Sequence, residues 1–469
     1  PTYTGPGHAS IFTGTTPSVH GIIGNDWYDK DKDEVVYCTT DQTYDPVGAA
    51  VKYGHVSPSN LKVTTLPDQN RLFTQMKGKT IGISIKDRGA IFPSGHTANG
   101  AYWFEGLEEG KWVTSTYYMD ELPEWVKTFN APLNISNYLK TWNTLYDINL
   151  YNESGPDASN YEKPFKGKPD PIFPYDLKAL MEFNDGYDIL KNTPFGNTMI
   201  TDFALAAVEA EALGDDEYTD FLTVSYSSTD YVGHDFGVNS IELQDTYLRL
   251  DLEIERLLNY LDTNVGEGNY SLFLTSDHGA AEVPSFLKDI DAPGGYVQKN
   301  MFTPLYATLK AKYGVSDLIK NISNDQIFLN YDLIKSLQLD LVDVQEFIVN
   351  DIINYSAVSK AYTATTMQTS YFKDGMEKTL QNGYNQKLSG DVLFTLKSGV
   401  IAYGPKGTTH GSGYTYDTHV PLLFYGNGIQ IGKTFERTNV TDIAPTISAL
   451  LGIAFPSGAT GAVIEKAIY

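Results

Sequence analysis

Asp230-Tyr-Val-Gly-His234, Asp277-His278-Gly and His410-Gly constrain this chain more than any other feature. The first two sets each follow an apolar run bounded by turn residues, Phe221-Leu-Thr-Val-Ser-Tyr226 and Ser271-Leu-Phe-Leu-Thr275. Such runs suit buried parallel strands. Open α/β sheets bind ligands at the carboxyl ends of their strands. Neutral imidazole with carboxylate suits zinc, and two such sets suit two zinc ions. The chain has 8 histidines, and three of them fall in these sets. Any one alone reads as a satisfied surface or core histidine. Together they point to a metal centre assembled from distant segments.

Strand and helix signals alternate around two irregular stretches, which predicts an α/β fold with a doubly wound, mainly parallel central sheet. Thr80-Ile-Gly-Ile-Ser-Ile85 reads as a buried strand and Val420–Tyr425 as a late one. Helices are expected over Thr201–Leu213, Ser240–Leu261 and Asp442–Leu451, the last with Gly452 past its end. In the second of these, Leu243, Tyr247, Leu250, Ile254, Leu257 and Leu261 recur at helical spacing, the pattern of a helix covering a core. Residues 101–195 read as an inserted cap around the substrate entrance and 285–400 as a second lobe, both within one catalytic domain over 1–469.

With 469 residues the chain can bury a large core. Its net charge of −24 repels nucleic acid and anionic membrane, so neither is expected as a partner. No run of apolar residues is long enough to predict a membrane span. The single Cys38 forms no intrachain disulfide and no thiolate zinc site.

Thr4 stands just before a segment that reads as a helix start, where a hydroxyl is either an N-cap or a nucleophile beside an anion-binding terminus. Beside the metal sets, the nucleophile reading is favoured. Gly24-Asn25-Asp26 is a turn by composition, and Asn25 there could donate its amide to a substrate oxygen. Lys86-Asp-Arg88 follows the strand ending at Ile85. In extended chain Lys86 and Arg88 would point the same way and clamp phosphate oxygens; taken alone, they also fit a solvated strand end.

Pro1-Thr-x-Thr4-x-Pro-x-His8, His20-Gly-Ile-Ile-Gly-Asn25, Asp230-x-x-Gly-His234, Ser276-Asp277-His278-Gly279 and Thr409-His410-Gly411 together resemble the alkaline phosphatase superfamily over nearly the whole chain. Asn25 with Lys86-x-Arg88 resembles its PafA-type branch, related in fold to type I phosphodiesterases and nucleotide pyrophosphatases. The resemblance implies a periplasmic or secreted phosphomonoesterase with two zinc ions and a phosphothreonine intermediate on Thr4. It acts on small phosphomonoesters and is expected to be a monomer. One zinc is then held by Asp230, His234 and His410, the other by Asp277, His278 and the Thr4 oxygen. Lys86, Arg88 and Asn25 hold the phosphoryl oxygens. His419 competes for the third imidazole place; His410 is preferred because Gly follows it, and His419 is expected to support the site from behind. The superfamily takes a further zinc-ligating Asp from a strand that precedes the nucleophile, so that strand is expected upstream of residue 1. Without it, the second zinc would be one protein ligand short of a tetrahedron. The alternatives left open are a phosphodiesterase or nucleotide pyrophosphatase of the same superfamily, and a non-catalytic metal-binding relative.

Overall fold

The Thr80–Ser84 strand is buried at all five positions, because β-branched side chains alternate with a glycine that lets a helix lie against it. The computed structural model that shows this describes residues 2–49, 54–107 and 109–468; Pro1, where the nucleophile motif begins, lies outside them. Thr80–Ser84 runs parallel to Gly100–Glu105 on one side and to Phe221–Ser225 on the other. Lys111–Ser115 and then Pro46–Val47 extend the sheet in antiparallel sense. A separate antiparallel pair joins Ser271–Thr275 to Leu422–Gly426. The α/β architecture is therefore built on mixed sheets.

Several sequence expectations change here. Gly100–Glu105 and Lys111–Ser115 are two strands of the central sheet, so the stretch from 101 opens as sheet and its short irregular elements come afterwards. Phe221–Ser225 and Ser271–Thr275 are half-buried rather than buried, since each pairs along one edge only among the described residues. The helix expected from Thr201 starts seven residues earlier, at Pro194, and ends at Ala210. Proline at the first helical position suits a start because its missing N–H is unneeded there.

The helix Ile241–Leu261 is capped by Ser240, whose Oγ accepts from the Leu243 N–H at 3.1 Å. Leu243 and Leu257 are buried, but Tyr247 is 58% exposed, so the stripe covers the core only in part. Below it the core centres on aromatic side chains, with Trp112 stacked on Phe203 at 4.0 Å and 16°. Residues 303–396 carry a four-stranded antiparallel sheet with its own core, in which Leu305, Leu309, Val344 and Ile348 are fully buried. The late helix runs Ile443–Leu451 and ends on Gly452 at φ 66°.

Gly82 lets the helix Asp87–Ser94 approach the central strand. A Cβ there would stand 2.5 Å from the Ala90 carbonyl and collide with Ser94 Oγ. Gly82→Ala is expected to destabilise the fold by about 1–3 kcal/mol, the usual cost of forcing an extra carbon into a packed core. Urea unfolding measures it, and an unchanged midpoint would contradict the close approach.

Candidate metal centre and nucleophile

Asp230 and His234 lie one turn apart on the helix Ser228–Phe236, which begins directly after the Phe221–Ser225 strand. Asp230 Oδ1 is 3.3 Å from His234 Nε2 and 3.5 Å from His410 Nε2. Ligand atoms of these three residues lie within 4.8 Å of one another. Asp277 and His278 follow the Ser271–Thr275 strand, with Asp277 Oδ2 3.4 Å from His278 Nε2. The His278 ring stacks on His410 at 3.4 Å, so the two sets adjoin. The five side chains come together from segments far apart in sequence.

Each imidazole is held in one tautomer. Nδ1 faces a backbone carbonyl in all three: Thr408 at 2.8 Å for His234, Gly279 at 2.9 Å for His278 and Thr2 at 2.6 Å for His410. A carbonyl only accepts, so Nδ1 carries the proton and Nε2 keeps a lone pair. Three such lone pairs thus converge on two carboxylates, which also only accept. His278 Nε2 is buried with no hydrogen-bond partner. Neutral imidazole nitrogens facing buried carboxylates suit a metal cation between them, in addition to the Lys86 ammonium that pairs with Asp230.

The His410-Gly pairing has a local cause. Gly411 has φ 132°, and a Cβ there would stand 2.7 Å from the Tyr3 hydroxyl and 2.8 Å from its ring. Asp417 fixes this loop, accepting from the Gly411 N–H, the Ser412 N–H and Ser412 Oγ at 3.1, 2.7 and 2.6 Å. His419 is exposed at the end of the short helix Thr415–Thr418 and stands outside the clustered group. The residue that braces the His410–Gly411 loop in the structure is Asp417.

Thr4 is the first residue of the helix Thr4–Thr13 and is 3% exposed. The Gly5 N–H donates to Asn25 Oδ1 at 2.8 Å, which ties the turn to the helix start and leaves the Asn25 amide N–H groups for another acceptor. Lys86 Nζ lies 3.5 Å from Thr4 Oγ1 and forms an ion pair with Asp230. His8, one turn after Thr4, donates from Nδ1 to the Thr4 carbonyl at 2.9 Å. The same nitrogen is 3.3 Å from Asp277 Oδ2.

The extended Lys86-x-Arg88 geometry is not what forms. A helix starts at Asp87, with Lys86 at its N-cap, so the two cations point to different anchors. Lys86 reaches Asp230 and lies over the Tyr231 ring at 4.7 Å. Arg88 Nη1 donates to the Tyr37 hydroxyl at 2.8 Å, and that hydroxyl donates to Asp87 Oδ1 at 2.6 Å. Sequence reasoning missed Tyr37 and Asp87. Asp87, between the two cations, was the only available signal.

Burial pushes the Asp230 carboxyl up, but Lys86, and then His234, His278 and His410, outweigh it and hold it well below the usual range. Asp277 is likewise raised by burial and pulled far down by His278 and His8. Burial, with the neighbouring His278, lowers His410 to about 3, so that imidazole is neutral at pH 7. Ionised carboxylates and neutral imidazoles are the forms that bind metal.

The chain matches the type I phosphodiesterase / nucleotide pyrophosphatase family over residues 1–419. It is 45% identical to a Myroides odoratus protein described as a calcium-transporting ATPase, covering all of this chain and 86% of that one. It is 44% identical to the alkaline phosphatase PafA of Elizabethkingia meningoseptica, again over 100% of this chain and 86% of the relative. The crystal structure of wild-type PafA superposes with a TM-score of 0.95 at 43% identity, covering 100% of this chain and 90% of that one. A PafA variant substituted at one threonine, one asparagine, one lysine and one arginine superposes equally well, at 0.95 and 42% identity over the same shares of each chain. The chain belongs to the type I phosphodiesterase / nucleotide pyrophosphatase family and has the fold of the PafA alkaline phosphatase.

Proposed function

We propose that this chain hydrolyses small phosphomonoesters to an alcohol and inorganic phosphate, with Thr4 as nucleophile and two zinc ions as cofactor. The supporting observation is the convergence of three imidazole lone pairs and two carboxylates beside a buried hydroxyl at a helix N-terminus. Asp230, His234 and His410 would hold one ion; Asp277, His278 and the Thr4 oxygen would hold the other. Bound there, zinc supplies Lewis acidity at the attacking and leaving oxygens and lowers the hydroxyl pKa.

This chain's own groups do the rest. Thr4 Oγ1 attacks phosphorus and carries the phosphoryl group until water removes it. The amides at the start of the Thr4–Thr13 helix face the anion. Lys86 and Arg88, with the free N–H groups of Asn25, hold the non-bridging oxygens, where charge resides in the transition state. Asp87 and the Tyr37 hydroxyl fix the Arg88 guanidinium. The same four residue types, Thr, Asn, Lys and Arg, are the ones substituted in the PafA variant.

A second reading, phosphodiester hydrolysis, is favoured by the family description. A diester carries less charge and gains less from two cations. Lys86→Ala and Arg88→Ala are each expected to cost about 3–4 kcal/mol with phenyl phosphate, on the scale of a lost oxyanion donor, and much less with diphenyl phosphate. Equal slowing of both substrates would remove the monoesterase reading and favour the diesterase. Among the described residues no helix is long and apolar enough to cross a membrane. We place the protein in the periplasm or secreted medium, as a monomer with no nucleic-acid partner.

A further inference from the structure

The lobe over residues 303–396 reaches the Asn25 turn through a hairpin tip. Its strands Ile319–Ser323 and Gln326–Leu329 pair with Ser323 opposite Gln326, so Asn324 and Asp325 form the whole connection. Both sit at positive φ, 51° and 55°, as the favoured two-residue hairpin turn requires, and Asn and Asp tolerate that conformation. Asn324 Nδ2 donates to the Asp26 carbonyl at 2.5 Å. A Cβ on Gly24 would stand 2.8 Å from the same nitrogen. The Asn324 amide therefore meets both neighbours of Asn25. Asn25 itself is tied at two atoms: its carbonyl accepts from the Cys38 N–H and its Oδ1 from the Gly5 N–H, both at 2.8 Å. The lobe adds a contact from a residue 298 positions beyond Asp26. Other contacts dock the lobe on the hairpin that follows Asn25, Asp26–Asp29 with Glu34–Tyr37. Lys320 Nζ pairs with Asp33 Oδ2 at 2.8 Å, Phe328 packs edge-on to Tyr28 at 5.3 Å, and Lys30 Nζ donates to the Ser389 carbonyl at 2.8 Å. These three do not involve Asn324, so they keep the lobe seated if its amide is lost.

We propose that Asn324 is a positioning residue for phosphoryl transfer: by holding the Asp26 carbonyl, its amide fixes where the Asn25 N–H groups meet a phosphoryl oxygen. This rests on the monoesterase reading above. Asn324 touches no substrate and acts only through Asn25. A donor aimed at transition-state charge works because it is fixed before the reaction, and one free to swing loses that advantage. A displacement of about 1 Å can cost on the order of a hundredfold in rate. The two other bonds on Asn25 remain when the Asn324 amide is removed, so the expected loss is smaller, about tenfold.

The test is a double-mutant cycle on the full zinc-loaded chain, with kcat/KM measured on phenyl phosphate. It compares the parent, Asn324→Gly, Asn25→Ala and the double variant. Glycine keeps the positive φ and removes the amide. Asn324→Gly is expected to lower kcat/KM about tenfold with zinc content unchanged. It should also weaken inhibition by inorganic phosphate, the product that meets the same Asn25 donors. In the Asn25→Ala background the same substitution should change kcat/KM by less than about twofold, the scatter of independent sites. A turn that matters only for stability would cost the same in both backgrounds. Asn324→Asp keeps the turn but has no donor, and it should repeat the pattern if the glycine variant folds poorly. Equal costs in the two backgrounds overturn the proposal. So does an Asn324→Gly enzyme at the parental rate, and so does an Asn25→Ala enzyme at the parental rate. Those outcomes leave the monoesterase reading standing. A parent that does not turn over phenyl phosphate fails that reading, and this inference falls with it.

Discussion

Thr4→Ala is expected to lower kcat/KM for phenyl phosphate by about 10⁴-fold or more, because removing the nucleophile of a covalent mechanism removes the path itself. Thr4 is buried at the first position of its helix, and its Oγ1 accepts from Lys86 Nζ at 3.5 Å. The fold should therefore survive the change, and so should zinc at Asp230, His234 and His410, while zinc beside Asp277 and His278 should bind more weakly for want of the Thr4 oxygen. Thr4→Ser keeps the hydroxyl and should stay within about tenfold of the parent, the size of a small positional loss. Acid quenching during turnover, followed by peptide mapping, should find phosphate on Thr4. Phosphate on another residue, or a Thr4→Ala enzyme that keeps its rate, would end the covalent assignment.

His410→Ala should be nearly as damaging, although His410 touches no substrate in the proposal. Its Nε2 faces Asp230 and its ring stacks on His278, so its loss opens both halves of the centre. Metal analysis should show zinc falling from two per chain. Activity should fall by more than the 10–100-fold typical of residues that merely support a metal ligand. Chelation of the parent should abolish turnover, and added zinc should restore it. His419→Ala is the control: an exposed side chain outside the cluster should change neither zinc content nor rate. If His419→Ala behaves like His410→Ala, the ligand set is misassigned.

The sequence disclosed the site better than the frame around it. His410 could be chosen over His419 because a glycine follows it, and the structure gives that glycine a reason, a close approach to Tyr3 at positive φ. Asp230 and His234 were read only as residues following a strand; the structure puts them one turn apart on a helix. The frame was harder. Gly100–Glu105 and Lys111–Ser115 lie among Trp, Gly and Lys residues that break any clean alternation, so two sheet strands looked like insertion. Ser271–Thr275 carries the apolar run of a parallel strand, yet its partner is antiparallel, which apolar content alone cannot reveal. Lys86-x-Arg88 was read in extended geometry because nothing before Gly89 marks a helix start. Tertiary packing against the Gly82 strand decides it instead.

The bond from His410 Nδ1 to the Thr2 carbonyl implies an order of events during synthesis. Much of what fixes the Thr4–Thr13 helix is made long after the helix itself. His410 bonds Thr2, the Ser412 carbonyl accepts from Thr2 Oγ1, and the Thr460 and Gly461 N–H groups close on the Gly14 carbonyl. Ile11 and Phe12 pack on Ile443 and Ile447 of the late helix. At about 5–20 residues per second, Thr4 waits roughly 20–80 s for these partners. Throughout that interval Thr4 has no complete site around it. A chain still lacking these later segments is therefore expected to have no turnover, and the phosphatase should switch on only once they dock.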